Sequence, residues 1–201
     1  MEYFILLILK QLNINYDNSR GILEYLGLYL DDISIRKAIN LWFDNRDQCI
    51  LKYGNINSWN TLSITDMSYL FYKKGIFNED ISKWCTGNVV NMNNMFGYCW
   101  EFNQPLNDWN VSNVEDMSFM FTDCYSFNQP LNKWNVENVK NTSFMFYYCQ
   151  SFDQILKSWK LKNVKNCHLM FFANKIKFYY SLNIFYLFKY IISNMRNGEY
   201  F

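Results

Sequence analysis

The chain has 201 residues, of which 50% are hydrophobic, 20% aromatic and 18% charged, and its formal net charge is +1. It is too apolar and too aromatic for intrinsic disorder, and too neutral to track a phosphate backbone, so it is expected to bury a core and to have no nucleic-acid partner. With 7 Gly, 2 Pro and 1 His it is also short of phosphate-cradling loops and acid–base side chains, which disfavours most enzyme classes.

Met1 to Leu9, MEYFILLIL, opens the chain with an apolar run, but Glu2 stands where a secretory signal needs positive charge and no small-residue cleavage site follows. The cytoplasm, of a host cell or a virion if the source is viral, is therefore favoured over the cell surface. Residues 1–58 are read as an N-terminal segment with a helical cap. Within it, Ile35, Ala38, Ile39, Trp42 and Phe43 fall at helical spacing behind Asp31, Asp32 or Ser34 as candidate caps.

From residue 59 a single period takes over. Trp59, Trp84, Trp109, Trp134 and Trp159 are each 25 residues apart, as are Phe71, Phe96, Phe121, Phe146 and Phe171. A repeat of this length means stacked supersecondary units, and 25 residues suits one turn of a leucine-rich-repeat-like coil. The expected fold is an α/β repeat, a right-handed solenoid over 59–173 with one short helix and one short strand per coil. Val114, Met117, Met120 and Phe121 have helical spacing, recurring as Val89, Met92, Met95 and Phe96. The FNQPL segments Phe102 to Leu106 and Phe127 to Leu131 supply the strand, although Pro105 and Pro130 cannot donate to a ladder and so narrow or break the sheet there.

The pattern MF-x-x-C-x-x-FNQPL-x-x-WNV-x-NV resembles the BspA-like leucine-rich-repeat family, over about Trp59 to Phe172, with a similar lead-in at LWFDNRDQCILKYGNINSW. The resemblance implies either an adhesive or protein-contact role, as in bacterial surface members, or an unassigned role, as in members from large DNA viruses. The Asn, Ile, Lys, Tyr and Phe bias, including 28 Asn, suits an AT-rich genome such as a large virus.

Stacking turns each repeated residue into a column. The Trp, Met and Phe columns are read as core, with a sugar-binding Trp strip as the functional alternative. Asn88, Asn113, Asn138 and Asn163, with Ser63 in the first copy, are read as a ladder whose amides donate to one coil and accept from another. Cys99, Cys124 and Cys149 are read as buried spacers, and the six cysteines as reduced thiols, since no CxxC pair occurs and no His joins the column. His168 lacks a recurring partner for catalysis, and Glu79, Asp80, Asp108 and Asp153 do not form an acid–base pair. No catalytic residue, metal or cofactor is expected.

The positions after each MF pair stay large while changing identity: Tyr72, Tyr98, Trp100, Tyr125, Tyr147 and Tyr148. Variable residues on a constant repeat frame are surface candidates, so these are the candidate partner-binding residues, with shielding of coil edges as the alternative. Residues 174–201 lose the register and are read as an apolar C-terminal cap or degenerate tail. Phe178 to Ile192 falls short of a membrane span, so membrane contact is not expected. The function expected is a non-enzymatic protein–protein interaction module, with a carbohydrate-binding or adhesion surface as its alternative.

Overall fold

The computed structural model describes residues 30–173. The readings made on Met1–Leu9, Phe178–Ile192 and the segment 174–201 lie outside them.

Two helices lead into the repeats: α1, Ser34–Asp44, and α2, Arg46–Tyr53, followed by a 3-10 turn, Ile56–Ser58. α1 buries Ile35, Ala38, Ile39 and Trp42, the stripe its spacing predicts. Of the candidate caps it is Asp31 that closes the helix: its Oδ1 accepts from the N–H of Ser34 at 2.7 Å and of Ile33 at 3.1 Å. α2 starts on Asn45, whose side chain accepts from Gln48, and stops at Gly54, where a φ of 75° turns the chain out of the helix.

Beyond Trp59 the copies stack in parallel, through bridges running Asp66 to Asn91 to Asp116 to Asn141 to Asn166. The secondary structure within each copy differs from the sequence reading. The Val-x-x-Met-x-x-Met-Phe segment is not a helix but a run of tight turns, and FNQPL is extended without a strand ladder. The hydrogen bonds explain why. Met67, Tyr69, Phe71 and Lys73 donate their N–H groups to Asn91, Asn93, Met95 and Gly97 of the next coil at 2.8 to 2.9 Å. The intervening Leu70, Tyr72 and Lys74 instead donate three residues back within their own coil. Half the backbone donors therefore bond along the stack, where a helix would keep all of them within its own chain. The geometry requires φ near +60° at two positions per coil, occupied by Tyr69 and Lys73, Asn94 and Tyr98, Phe119 and Asp123, and Phe144 and Tyr148.

Where Pro105 and Pro130 remove backbone donors, side-chain amides join the coils. Asn78 Oδ1 accepts from the N–H of Asn103 at 2.9 Å, and Gln104 Nε2 donates to the Asn78 carbonyl at 2.9 Å. Asn103 with Gln129, and Asn128 with Gln154, repeat the arrangement.

The core is a set of aromatic columns. Phe71, Phe96, Phe121, Phe146 and Phe171 stack at 5.5 Å between ring centroids, with interplanar angles of 3° to 8°. A second column, Phe77, Phe102, Phe127 and Phe152, runs beside it at 5.7 to 5.9 Å. The five Trp are 2% to 5% exposed, and each indole N–H reaches a backbone carbonyl, as Trp109 does to Ile81 at 3.2 Å. This burial rules out the sugar-binding Trp strip, because the rings have no open face.

Candidate functional site

The constant Trp, Phe and Cys columns face inward, so the site candidates sort by burial. Cys99, Cys124 and Cys149 are fully buried, and each thiol donates to a backbone carbonyl, Cys99 to Phe71 and Cys124 to Phe96 at 3.0 Å, and Cys149 to Cys124 at 3.1 Å. Burial pushes the Cys99 thiol up to about 12 and raises Cys124 and Cys149 well above the ordinary thiol value. Such thiols are protonated spacers and not nucleophiles. Among the described residues no group of three or more His, Cys, Asp or Glu is placed to hold a metal ion, and no helix is long and apolar enough to cross a membrane.

The Asn ladder forms, in a simpler form than expected. Asn88, Asn113, Asn138 and Asn163 donate Nδ2 to Leu62, Gly87, Ser112 and Glu137 of the preceding coil at 2.6 to 2.8 Å. All four side chains are on the exposed surface, and the described bond of each runs in one direction, toward the preceding coil. The carboxylates considered for catalysis serve the surface: Asp108 pairs with Lys133 at 2.7 Å, Glu79 pairs with Arg46 at 2.7 Å, and Asp80 closes the turn at Ser82. His168 is half-buried, with its ring 5.1 Å from that of Phe144.

The aromatic positions after each MF pair come together along one side of the stack. Trp100 is 50% exposed, Tyr125 40% and Tyr148 37%. Tyr72, Tyr98 and Tyr147 are half-buried between them. Tyr72 meets Tyr98 edge to face at 5.6 Å, and Tyr147 touches Tyr148 at 4.8 Å. Trp100 lies across Gly75 of the preceding coil, so close that a Cβ there would stand 2.7 Å from the indole.

Sequence reasoning missed several members of this surface. Tyr69, 52% exposed, packs on Tyr72 at 5.3 Å, and Phe172, 47% exposed, stacks on Tyr147 at 5.3 Å. Phe119 and Phe144 form a further stacked pair at 4.7 Å. The signal for Tyr69, Phe119 and Phe144 was the column ten residues after each Trp, which also holds Asn94 and Leu169, and that for Phe172 was its place in the column of Tyr72 and Tyr147. Asp123 was missed as well. It is half-buried in the same column as Tyr98 and Tyr148, and accepts a hydrogen bond from the Tyr125 hydroxyl at 3.2 Å.

The repeat that builds this surface matches one family model, described as Mycoplasma protein of unknown function, DUF285, over residues 37–141 and again over 86–183. The two matches overlap and together span well over half of the chain. The chain belongs to this family. It is a BspA-like repeat family, and the first match begins within α1 and runs on through α2 into the repeats, whereas the second falls beyond both helices. No curated protein and no solved structure matched the chain.

Proposed function

We propose that this DUF285 member is a non-enzymatic protein-interaction module of the cytoplasm, built as a leucine-rich-repeat-like right-handed solenoid. The observation that carries the reading is the aromatic strip. Trp100, Tyr125 and Tyr148 are 37% to 50% exposed on successive coils whose Phe and Trp core columns are buried. Tyr and Trp concentrate binding energy at protein interfaces because they bring large rigid area at small entropic cost. A rigid stack holding such rings in line offers a preorganised surface, which lowers the ordering cost of binding. An origin in an AT-rich genome, that of a large DNA virus among them, accords with this reading on composition alone.

The test places a photo-crosslinking amino acid at position 125 in the native source and identifies what it captures. The double variant Trp100→Ala, Tyr125→Ala is then assayed for capture of that same species. Loss of capture with an unfolding midpoint within about 0.5 kcal/mol of the parent supports the reading. Undiminished capture by the double variant refutes it, and capture of glycan in place of protein moves the function to carbohydrate binding.

A further inference from the structure

Tyr98, Asp123 and Tyr148 occupy one position on three successive coils. All three have φ between 53° and 63°, and their backbones are joined along the stack, Tyr98 N–H to the Thr122 carbonyl and Asp123 N–H to the Tyr147 carbonyl, both at 2.8 Å. The carboxylate thus stands between two tyrosines in its own column. A third, Tyr125, holds it from the side through its hydroxyl at 3.2 Å. Burial, then the Asp123 charge and hydrogen bond, and then Tyr98 and Tyr148 raise the Tyr125 hydroxyl above its ordinary value.

Charge in the surrounding chain is one-sided. Residues 84–132 contain Glu101, Asp108, Glu115, Asp116 and Asp123, and neither lysine nor arginine. Of these, Asp108 and Glu115 are neutralised by Lys133 and Lys140 from the next coil, at 2.7 and 2.6 Å. Among the described residues no ion pair forms on Asp123. Burial instead pushes its carboxyl up, against the lowering effect of the Tyr125 hydrogen bond. The column also already carries a cation at its N-terminal end, where Lys73 places its ammonium 5.1 Å from the Tyr72 ring centroid and 6.0 Å from that of Tyr98. The same aromatic line therefore accepts an ammonium group from Lys73, two coils before the carboxylate.

Aromatic faces around a carboxylate are the chemistry of cation recognition, since the ring quadrupole and the negative charge attract the same ion. We infer that Tyr98, Asp123, Tyr125 and Tyr148 form a seat for a lysine or arginine side chain, and that the partner of the aromatic strip docks through a basic segment. The inference rests on the interaction reading above and gives the partner its chemistry. Tyr147, 4.8 Å from the Tyr148 ring, supplies apolar contact for the stem of the bound side chain.

The experiment titrates the full chain calorimetrically with three probes: hexa-arginine, hexa-lysine and hexa-glutamate peptides. Binding of the two cationic peptides and not of hexa-glutamate is expected. Asp123→Asn should weaken hexa-arginine by about tenfold, the size of one partly desolvated cation–aromatic and charge contact. Asparagine tolerates positive φ and keeps the acceptor for Tyr125, so this variant should fold as the parent does. Tyr98→Leu should weaken binding similarly, whereas Asp108→Asn, which removes an equal charge from the Lys133 pair, should change it less than twofold. Equal losses in Asp123→Asn and Asp108→Asn would show general electrostatics and overturn the seat, as would no loss in either. If the native partner is lost by Trp100→Ala, Tyr125→Ala but kept by Asp123→Asn, the seat falls and the interaction reading stands. Peptide binding as expected, with native capture untouched by the double variant, keeps the seat and overturns the interaction reading.

Discussion

Asp32 supplies to Thr65 what a preceding coil would otherwise supply. Its Oδ1 accepts the N–H of Thr65 at 2.8 Å and of Asp66 at 3.1 Å. One coil later the Thr65 carbonyl accepts from Val90 and Asn91 in the same way. Arg36, on α1, completes the imitation by donating to the carbonyls of Ser68 and Asp66 at 2.7 and 3.3 Å. The cap thus continues the hydrogen bonding of the stack with two side chains, and satisfies backbone groups that the first coil would leave open.

Asp32→Ala should therefore destabilise the chain by about 1–3 kcal/mol, as expected for removal of a charged acceptor from backbone donors. Burial pushes the Asp32 carboxyl up, but the Thr65 hydroxyl, the two N–H groups and the Arg36 charge outweigh it and hold the group below its ordinary 3.8. A depressed carboxylate contributes its full stability above the unfolded value and loses it as pH falls through the folded one. Urea midpoints of parent and variant should accordingly differ at pH 7 and converge as pH drops below about 3.8. A constant difference down to pH 2 would exclude this linkage.

Trp109→Ala should cost about 3–5 kcal/mol, the range for removing a large buried aromatic, and should also strand the Ile81 carbonyl that the indole N–H now reaches. Lys133→Ala removes only an exposed ion pair with Asp108 and should cost under about 1 kcal/mol. Denaturation midpoints measured side by side separate the two. Similar midpoints would contradict the core assignment of the Trp column.

The period, the core columns and the α1 cap were legible because each depends on where apolar residues recur. The path of the backbone between them was not. Met67, Leu70 and Phe71 have helical spacing because their turns close three residues back, as Leu70 does on Met67. Spacing alone does not distinguish that pattern from a helix whose other bonds are also internal. Nor did residue type mark the positive φ at Tyr98, Asp123 and Tyr148, since glycine is the usual signal and stands at none of them. The exposed strip is visible through its variability. Asp123 is not, because a carboxylate in a column of tyrosines looks like drift until the stack places it between two of them.

Asn113→Ala tests the ladder. Its Nδ2 donates to the Gly87 carbonyl at 2.6 Å from an exposed position, so water can replace the lost partner and the expected cost is about 0.5–1.5 kcal/mol. Asn113→Ser should cost less than Asn113→Ala, given that the first copy carries Ser63 there. A cost of 3 kcal/mol or more by equilibrium unfolding would mean that the amide also supports a buried group.

Thiol reactivity should reveal the columns directly. Five of the six cysteines are buried and Cys85 is exposed. Burial also raises Cys99 to about 12 and Cys167 to about 11. At pH 8 the folded chain should release one equivalent of chromophore from an aromatic disulfide reagent, abolished by Cys85→Ser, and six after denaturation. Two or more fast equivalents in the folded state would show that a coil opens, and slow reaction at the other five would measure its opening free energy.

Gly75→Ala should move Trp100 and little else. A Cβ at that position would meet the Trp100 ring at 2.7, 2.9 and 3.2 Å, closer than non-bonded carbons approach, so the ring or the backbone must shift. Trp100 is the member that can shift, since it is half exposed and no side-chain hydrogen bond among the described residues anchors its indole. With fluorotryptophan incorporated, the fluorine spectrum should show one of the seven Trp resonances displaced toward a solvent-exposed shift, the others unmoved. The stability loss should stay below about 1 kcal/mol, because the ring leaves a surface seat and not a core cavity. If several resonances move together, the coil has distorted and Gly75 is a backbone requirement. If none moves, the ring does not rest on Gly75.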